Sequence, residues 1–151
     1  MAKLWVLFGI VYAFPSDAPA ADSAILLAAS RYAPGFAFQK GSLVKGNFDC
    51  SGRKQQAVLG TNESDVTVLV FLNGARNRPE ALEVSGRVKN PALTRLSKES
   101  LDYDPQAEVG SILPGFVKSK TCTGLNLSDG ETDSVHIYWD HESHHLSCWR
   151  R

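Results

Sequence analysis

The stretch Gly46-Asn47-Phe48-Asp49-Cys50-Ser51-Gly52 sets oxygen-bearing side chains at alternate positions ahead of a glycine, which is the spacing of a calcium loop. A hard cation needs those oxygens, and the glycine makes the sharp turn that gathers them. The alternate positions hold Asn47, Asp49 and Ser51, and only Asp49 is charged. The loop therefore marks an architecture more firmly than it marks a metal. A second group able to do metal chemistry closes the chain. All four histidines, His136, His141, His144 and His145, gather there with Asp133, Asp140 and Glu142. Imidazole is the commonest transition-metal ligand, so zinc or copper is the chemistry this group would support.

Other catalytic signatures are incomplete. Asp102, Asp104 and Glu108 are acidic and close in sequence, but nothing in the sequence fixes a separation for acid–base work, and a solvated loop accounts for them. Val84-Ser85-Gly86 is half of a nucleophile elbow. Glycine-rich phosphate loops are absent. Tyr138, Trp139 and Trp149 offer an aromatic contact surface, the kind of residue favoured in interface cores.

These residues need elements to hold them. Asp22 or Ser23 is expected to cap a helix through Ala24–Ala29 that stops at Pro34-Gly35, with Ile25, Leu26, Ala29 and Tyr32 on one face. Strands are expected over 36–44, 56–59, 65–72, 81–84 and 122–127. In the third, Val66, Val68 and Val70 alternate with Thr67, Leu69 and Phe71, so both faces are apolar and the strand is central. Residues 90–110 are polar and Pro-punctuated, and read as a long loop with a helical turn near Leu93–Leu96. The last two strands form a hairpin around Asp140–Ser143, pairing Trp139 with His144, Ile137 with Leu146, Val135 with Cys148 and Tyr138 with His145. In that register His136 and His145 are diagonal on one face, His141 is on the turn and His144 points away. Surface or partner-packing histidines fit this better than a metal centre.

The first residues describe export. Met1-Ala2-Lys3, an apolar run from Leu4 to Phe14 and Ala18-Pro19-Ala20 make a signal peptide over 1–20, leaving 21–151 as a single domain. The apolar run is well short of the roughly 20 residues of a membrane span. Lysine plus arginine and aspartate plus glutamate both total 16, and the two signs are interspersed, so no long-range field steers the chain toward nucleic acid or anionic lipid. Three cysteines in an exported chain predict one disulfide and one remaining thiol. Cys50 with Cys122 is the expected pair, since both lie beside turn residues at strand edges while Cys148 falls inside a strand; Cys122 with Cys148, or a bond to another chain, stays open.

Ala33-Pro34-Gly35-Phe36, the stretch from Gly46 to Val58, Val68–Leu72 and the hairpin at His136-Ile137-Tyr138-Trp139-Asp140 together resemble small exported bacterial proteins with a single FG-GAP or VCBS-like loop. The resemblance implies ligand positions at Asn47, Asp49, Ser51 and Gln55, three of which lack a carboxylate. It also implies that a disulfide does the tethering that calcium does elsewhere. One such loop cannot close a propeller. The expectation is an α+β, β-rich domain whose N-terminal helix packs on a curved, mainly antiparallel sheet. It is periplasmic or secreted and binds another protein rather than catalysing, as an inhibitor or immunity-type protein would. Its contact surface is His136, Tyr138, His145, Trp149 and Tyr103, and no cofactor is required. Calcium at 47–55, a transition metal at the histidines, or a structural envelope role are the alternatives.

Overall fold

The computed structural model describes residues 18–84 and 89–150. The expected signal peptide falls mostly on residues 1–17, outside those described, as do Ser85 and Gly86 of the half elbow. Helix α1 spans Ala18–Tyr32, four residues earlier than Asp22. Asp22 is therefore not a cap. Its carboxylate instead pins the helix to the sheet beneath, accepting from Lys45 Nζ at 2.7 Å and Gln56 Nε2 at 3.0 Å.

The first sheet contains β1 (Ala37–Phe38), β2 (Val44–Gly46), β3 (Gln55–Thr61), β4 (Val66–Phe71) and β5 (Glu80–Glu83). β3 pairs with both β1 and β2 on one side and with β4 on the other, and β5 follows β4. The strand expected over 36–44 is split into β1 and β2 by a short turn of helix at Lys40–Ser42. The second sheet runs in chain order through β6 (Arg95–Leu101), β7 (Ser119–Ser128), β8 (Val135–Asp140) and β9 (His145–Arg150). Every pair in both sheets is antiparallel.

The architecture is α+β and β-rich, as expected, but the strands divide between two facing sheets rather than forming one curved sheet. Val66, Val68 and Val70 of β4, with Ala57, Leu59 and Phe48, meet Leu96, Leu125, Leu127, Val135 and Ile137 of the second sheet. Leu69 and Phe71, on the other face of β4, pack with Val58 against Ile25 and Ala29 of α1. All six positions of β4 are buried, which is why its sequence has no polar face. The order of layers is helix, sheet, sheet, and then residues 102–118 laid over the outside of the second sheet.

Two further expectations are corrected. Residues 90–110 are not an unbroken loop, since they contain β6 and the short helix α2 (Pro105–Val109). The terminal hairpin is shifted by two residues: Trp139 pairs with Leu146, Ile137 with Cys148, Val135 with Arg150, Tyr138 with Ser147 and His136 with Trp149. Asp140 stays in the strand and its carboxylate accepts from Glu142 N at 2.8 Å and Ser143 N at 3.1 Å, so the turn moves to 141–144 and His144 takes a φ of 57°. A shift of two leaves every side chain on its expected face and changes only its partner.

Candidate functional site

The loop between β2 and β3 satisfies most of its own polar groups, with the buried Nε2 of Gln55 left without a partner among the described residues. Gln55 is buried, and its Oε1 accepts from Phe48 N at 2.8 Å and Asp49 N at 3.1 Å. Asp49 Oδ1 accepts from Ser51 N at 2.9 Å, and Asn47 Oδ1 from Gly52 N at 2.9 Å. The guanidinium of Arg53 is also in the loop: Nε donates to Ser51 Oγ at 3.1 Å, Nη2 approaches Asp49 Oδ2 at 3.5 Å and Nη1 donates to Asn73 Oδ1 at 2.7 Å. Burial pushes the Asp49 carboxyl up, but hydrogen bonds from Ser51 and Gln55 and the charge of Arg53 outweigh it and hold the group below the usual carboxylate range.

The four expected ligand positions do not fit calcium well. Their side-chain oxygens already accept N–H groups, a fixed positive charge sits among them, and the remaining polar atom of buried Gln55 is the donor Nε2, which cannot ligate a cation. The loop is instead tied to β7. Asn47 N donates to Thr123 Oγ1 at 3.2 Å, Thr123 N to Asn47 O at 2.9 Å, and Asn47 Nδ2 to Thr121 O at 3.3 Å. Between them lies the Cys50–Cys122 disulfide, with Cα atoms 4.9 Å apart. Phe48 lies across Gly46, where a Cβ would come within 2.7 Å of its ring, so glycine is needed for that close approach. Cys148 keeps its thiol.

The histidines are distributed rather than gathered. His136 Nδ1 is 2.7 Å from Glu99 Oε2, and its ring stacks on Trp149 with centroids 4.0 Å apart and planes at 11°. His145 Nδ1 is 3.0 Å from Glu80 Oε2, joining β9 to β5 across the two sheets. His141 and His144 lie in the turn. Among the described residues no three His, Cys, Asp or Glu side chains come together in a way that could hold a metal. The acidic residues of the long segment also have separate positions: Asp104 caps α2 through Gln106 N at 3.0 Å, Asp102 lies 3.8 Å from Lys118 Nζ, and Glu108 lines the cavity described next.

The outer face of the second sheet brings together most of the residues expected at a contact surface. Tyr138 is 3% exposed and Trp149 8%, because residues 102–118 fold over them with Tyr103, Leu113 and Phe116. Tyr138 donates to Pro114 O at 3.0 Å, and Trp149 Nε1 to the Tyr103 hydroxyl at 3.0 Å. Burial raises the Tyr103 pKa to about 12, against a lowering by the Trp149 hydrogen bond, so the phenol keeps its proton throughout the physiological range. Gly115 anchors the covering segment: its carbonyl accepts from His141 N at 2.9 Å, its φ is +61°, and a Cβ there would collide with the Asp140 carboxylate.

Beside that cover the face stays open as a cavity of about 180 Å³ lined by Glu99, Ser100, Tyr103, Glu108, His136 and Trp149. Its walls are fixed. Glu99 accepts from Asn126 Nδ2 at 3.3 Å while holding His136, and the Tyr103 ring leans on Phe116 at 5.0 Å. Glu99 went unrecognised in the sequence. It sits in a polar strand 37 residues from its histidine partner, and no local pattern announces it. Of the expected contact residues, His136 and Tyr103 line the cavity, Trp149 closes it, Tyr138 lies beneath the covering segment and His145 stands exposed at the other end of β9. The chain matches no protein-family model, no curated protein and no solved structure.

Proposed function

We propose that this chain is an exported, non-catalytic binding domain, of the inhibitor or immunity type, that receives one side chain of a partner protein in the cavity bounded by Glu99, Tyr103, His136 and Trp149. The observation that carries this reading is the rigidity of the cavity walls. A stacked imidazole–indole pair, a partly buried Trp–Tyr hydrogen bond and a carboxylate held by two neighbours leave few rotamers to be frozen on binding, and preorganised aromatic sites are where binding energy concentrates. Export to the periplasm or beyond is supported by the Cys50–Cys122 disulfide and by the N-terminal sequence. Among the described residues no helix is long and apolar enough to cross a membrane.

In the same reading the 46–55 loop, which resembles those of FG-GAP and VCBS proteins, works as a brace and not as a metal site. Arg53 supplies the positive charge and the disulfide supplies the tether.

Capture from periplasmic extract tests the binding reading. The exposed Ser100 lines the cavity, so Ser100→Tyr fills its mouth without disturbing either sheet core. A partner retained by the native chain is expected to be lost, by about tenfold or more, with Ser100→Tyr. Equal retention by the native and Ser100→Tyr proteins would remove the cavity from the account.

A further inference from the structure

A second site lies on the helix side of the first sheet and does not depend on the cavity at Glu99. Arg31, in the last turn of α1, is brought beside Arg76 and Arg78 of the β4–β5 connection, and the three line one cavity of about 280 Å³. Its floor is Ala28, Phe71, Ala75 and Pro79, and among the described residues no carboxylate lines it. In a chain whose charges balance and interleave, a three-arginine pocket without an acidic wall is a local exception.

One of the three guanidiniums is positioned in advance. Arg78 lies 5.6 Å from the centroid of the Tyr32 ring and donates to its hydroxyl from Nε at 3.4 Å and Nη2 at 3.3 Å, a contact that does not use Nη1. Arg31 and Arg76 form no ion pair among the described residues. The nearest acid in sequence, Glu80, acts on Arg78 through its charge but does not line the cavity, and its carboxylate is 3.0 Å from His145 Nδ1.

From this convergence we infer a binding site for a phosphate group at Arg31, Arg76 and Arg78. A carboxylate presents two oxygens, whereas a phosphate presents three or more around a tetrahedron, and three forked donors arriving from two chain segments match the latter. The phosphate belongs either to the free anion or to the headgroup of an anionic lipid.

Calorimetric titration with inorganic phosphate, and co-sedimentation with phosphatidylglycerol or with phosphatidylcholine vesicles, separate the two sources. The native chain is expected to bind one of these phosphate probes, with Arg76→Gln and Arg31→Gln each weakening binding about tenfold. The control Lys120→Gln, a surface cation elsewhere, should leave it unchanged. Arginine-dependent binding of inorganic phosphate assigns the free anion. Arginine-dependent binding of phosphatidylglycerol vesicles alone assigns the lipid headgroup. The proposal is overturned if neither probe binds, if phosphatidylcholine vesicles bind equally well, or if Lys120→Gln weakens binding as much as Arg76→Gln. Because all three arginines are exposed, the variants are expected to melt with the native chain, and loss of binding then reports the site rather than the fold.

Discussion

Replacing Cys50 and Cys122 by serine is expected to lower the unfolding free energy by at least about 4 kcal/mol, the loop-closure entropy of a bridge between residues 72 apart. For a domain of this size that is a fall in melting temperature of roughly 10–20 °C. The effect should exceed the entropy of the bond alone. Cys50 sits at a φ of 61° and Phe48 is buried between the sheets, so once the loop is released the Asn47–Thr123 hydrogen bonds and the Phe48 packing loosen with it. Thermal unfolding with and without a thiol reductant checks the prediction, and Cys148→Ser is the matched control. An unchanged midpoint in the double variant would mean that the bridge is decorative.

The second large effect is at Asp129, in the turn between β7 and β8. This buried carboxylate accepts from Lys89 N at 2.8 Å, Thr132 N at 2.9 Å, Glu131 N at 3.0 Å and Thr132 Oγ1 at 3.0 Å, and so fastens the turn to the segment that leads into β6. The Thr132 backbone N–H is the strongest influence. With the Glu131 and Lys89 donors it overcomes burial and holds the carboxyl far below its usual range. Asp129→Ala strands these donors and is expected to cost about 2–4 kcal/mol. Asp129→Asn keeps Oδ1 for Glu131 and Thr132 but turns a donor toward Lys89 N, so it should cost less.

The pH dependence follows from the sign of the shift. A group whose folded pKa is depressed stabilises the fold above its unfolded pKa and loses that contribution as pH falls. Asp129 is joined by Asp140, lowered chiefly by the Ser143 backbone N–H, and by Asp49. Stability should therefore hold from pH 7 to about pH 5 and decline below about pH 4, where an unfolded carboxylate takes up its proton. Asp129→Asn should flatten that decline. A native chain as stable at pH 3 as at pH 7 would contradict it.

How far the sequence disclosed this structure differs from element to element. β4 was legible because a strand covered on both faces has no room for polar residues, and Val66–Phe71 contains only one threonine. The disulfide was expected because Cys50 and Cys122 read as strand edges, but only Cys50 flanks a turn; Cys122 lies inside β7, at the irregularity opposite Ser100 and Leu101, while Cys148 lies within β9. β6 was not, since Arg95–Leu101 is an edge strand in which only Leu96 and Leu101 are buried, and five polar residues of seven look like loop. Asp22, a good cap by type, lies inside α1, and its carboxylate is taken by Lys45 and Gln56, a meeting with distant residues that no local pattern contains. Periodicity also predicted that both faces of β4 are covered without saying by what, so the second sheet stayed hidden. Glu99 with His136, and Arg31 with Arg76 and Arg78, are meetings of distant segments that no local pattern contains.

The brace at residues 46–55 positions β7 and, through β7, the outer face on which the Glu99 cavity lies. Whether that brace stands without a cation is decided by the melting temperature of the purified, oxidised chain in excess chelator and then in saturating calcium. With Arg53 and the Cys50–Cys122 bond holding the loop, the two curves should superimpose. A midpoint several degrees higher in calcium would show that the oxygens of Asn47, Asp49 and Ser51 hold a metal after all.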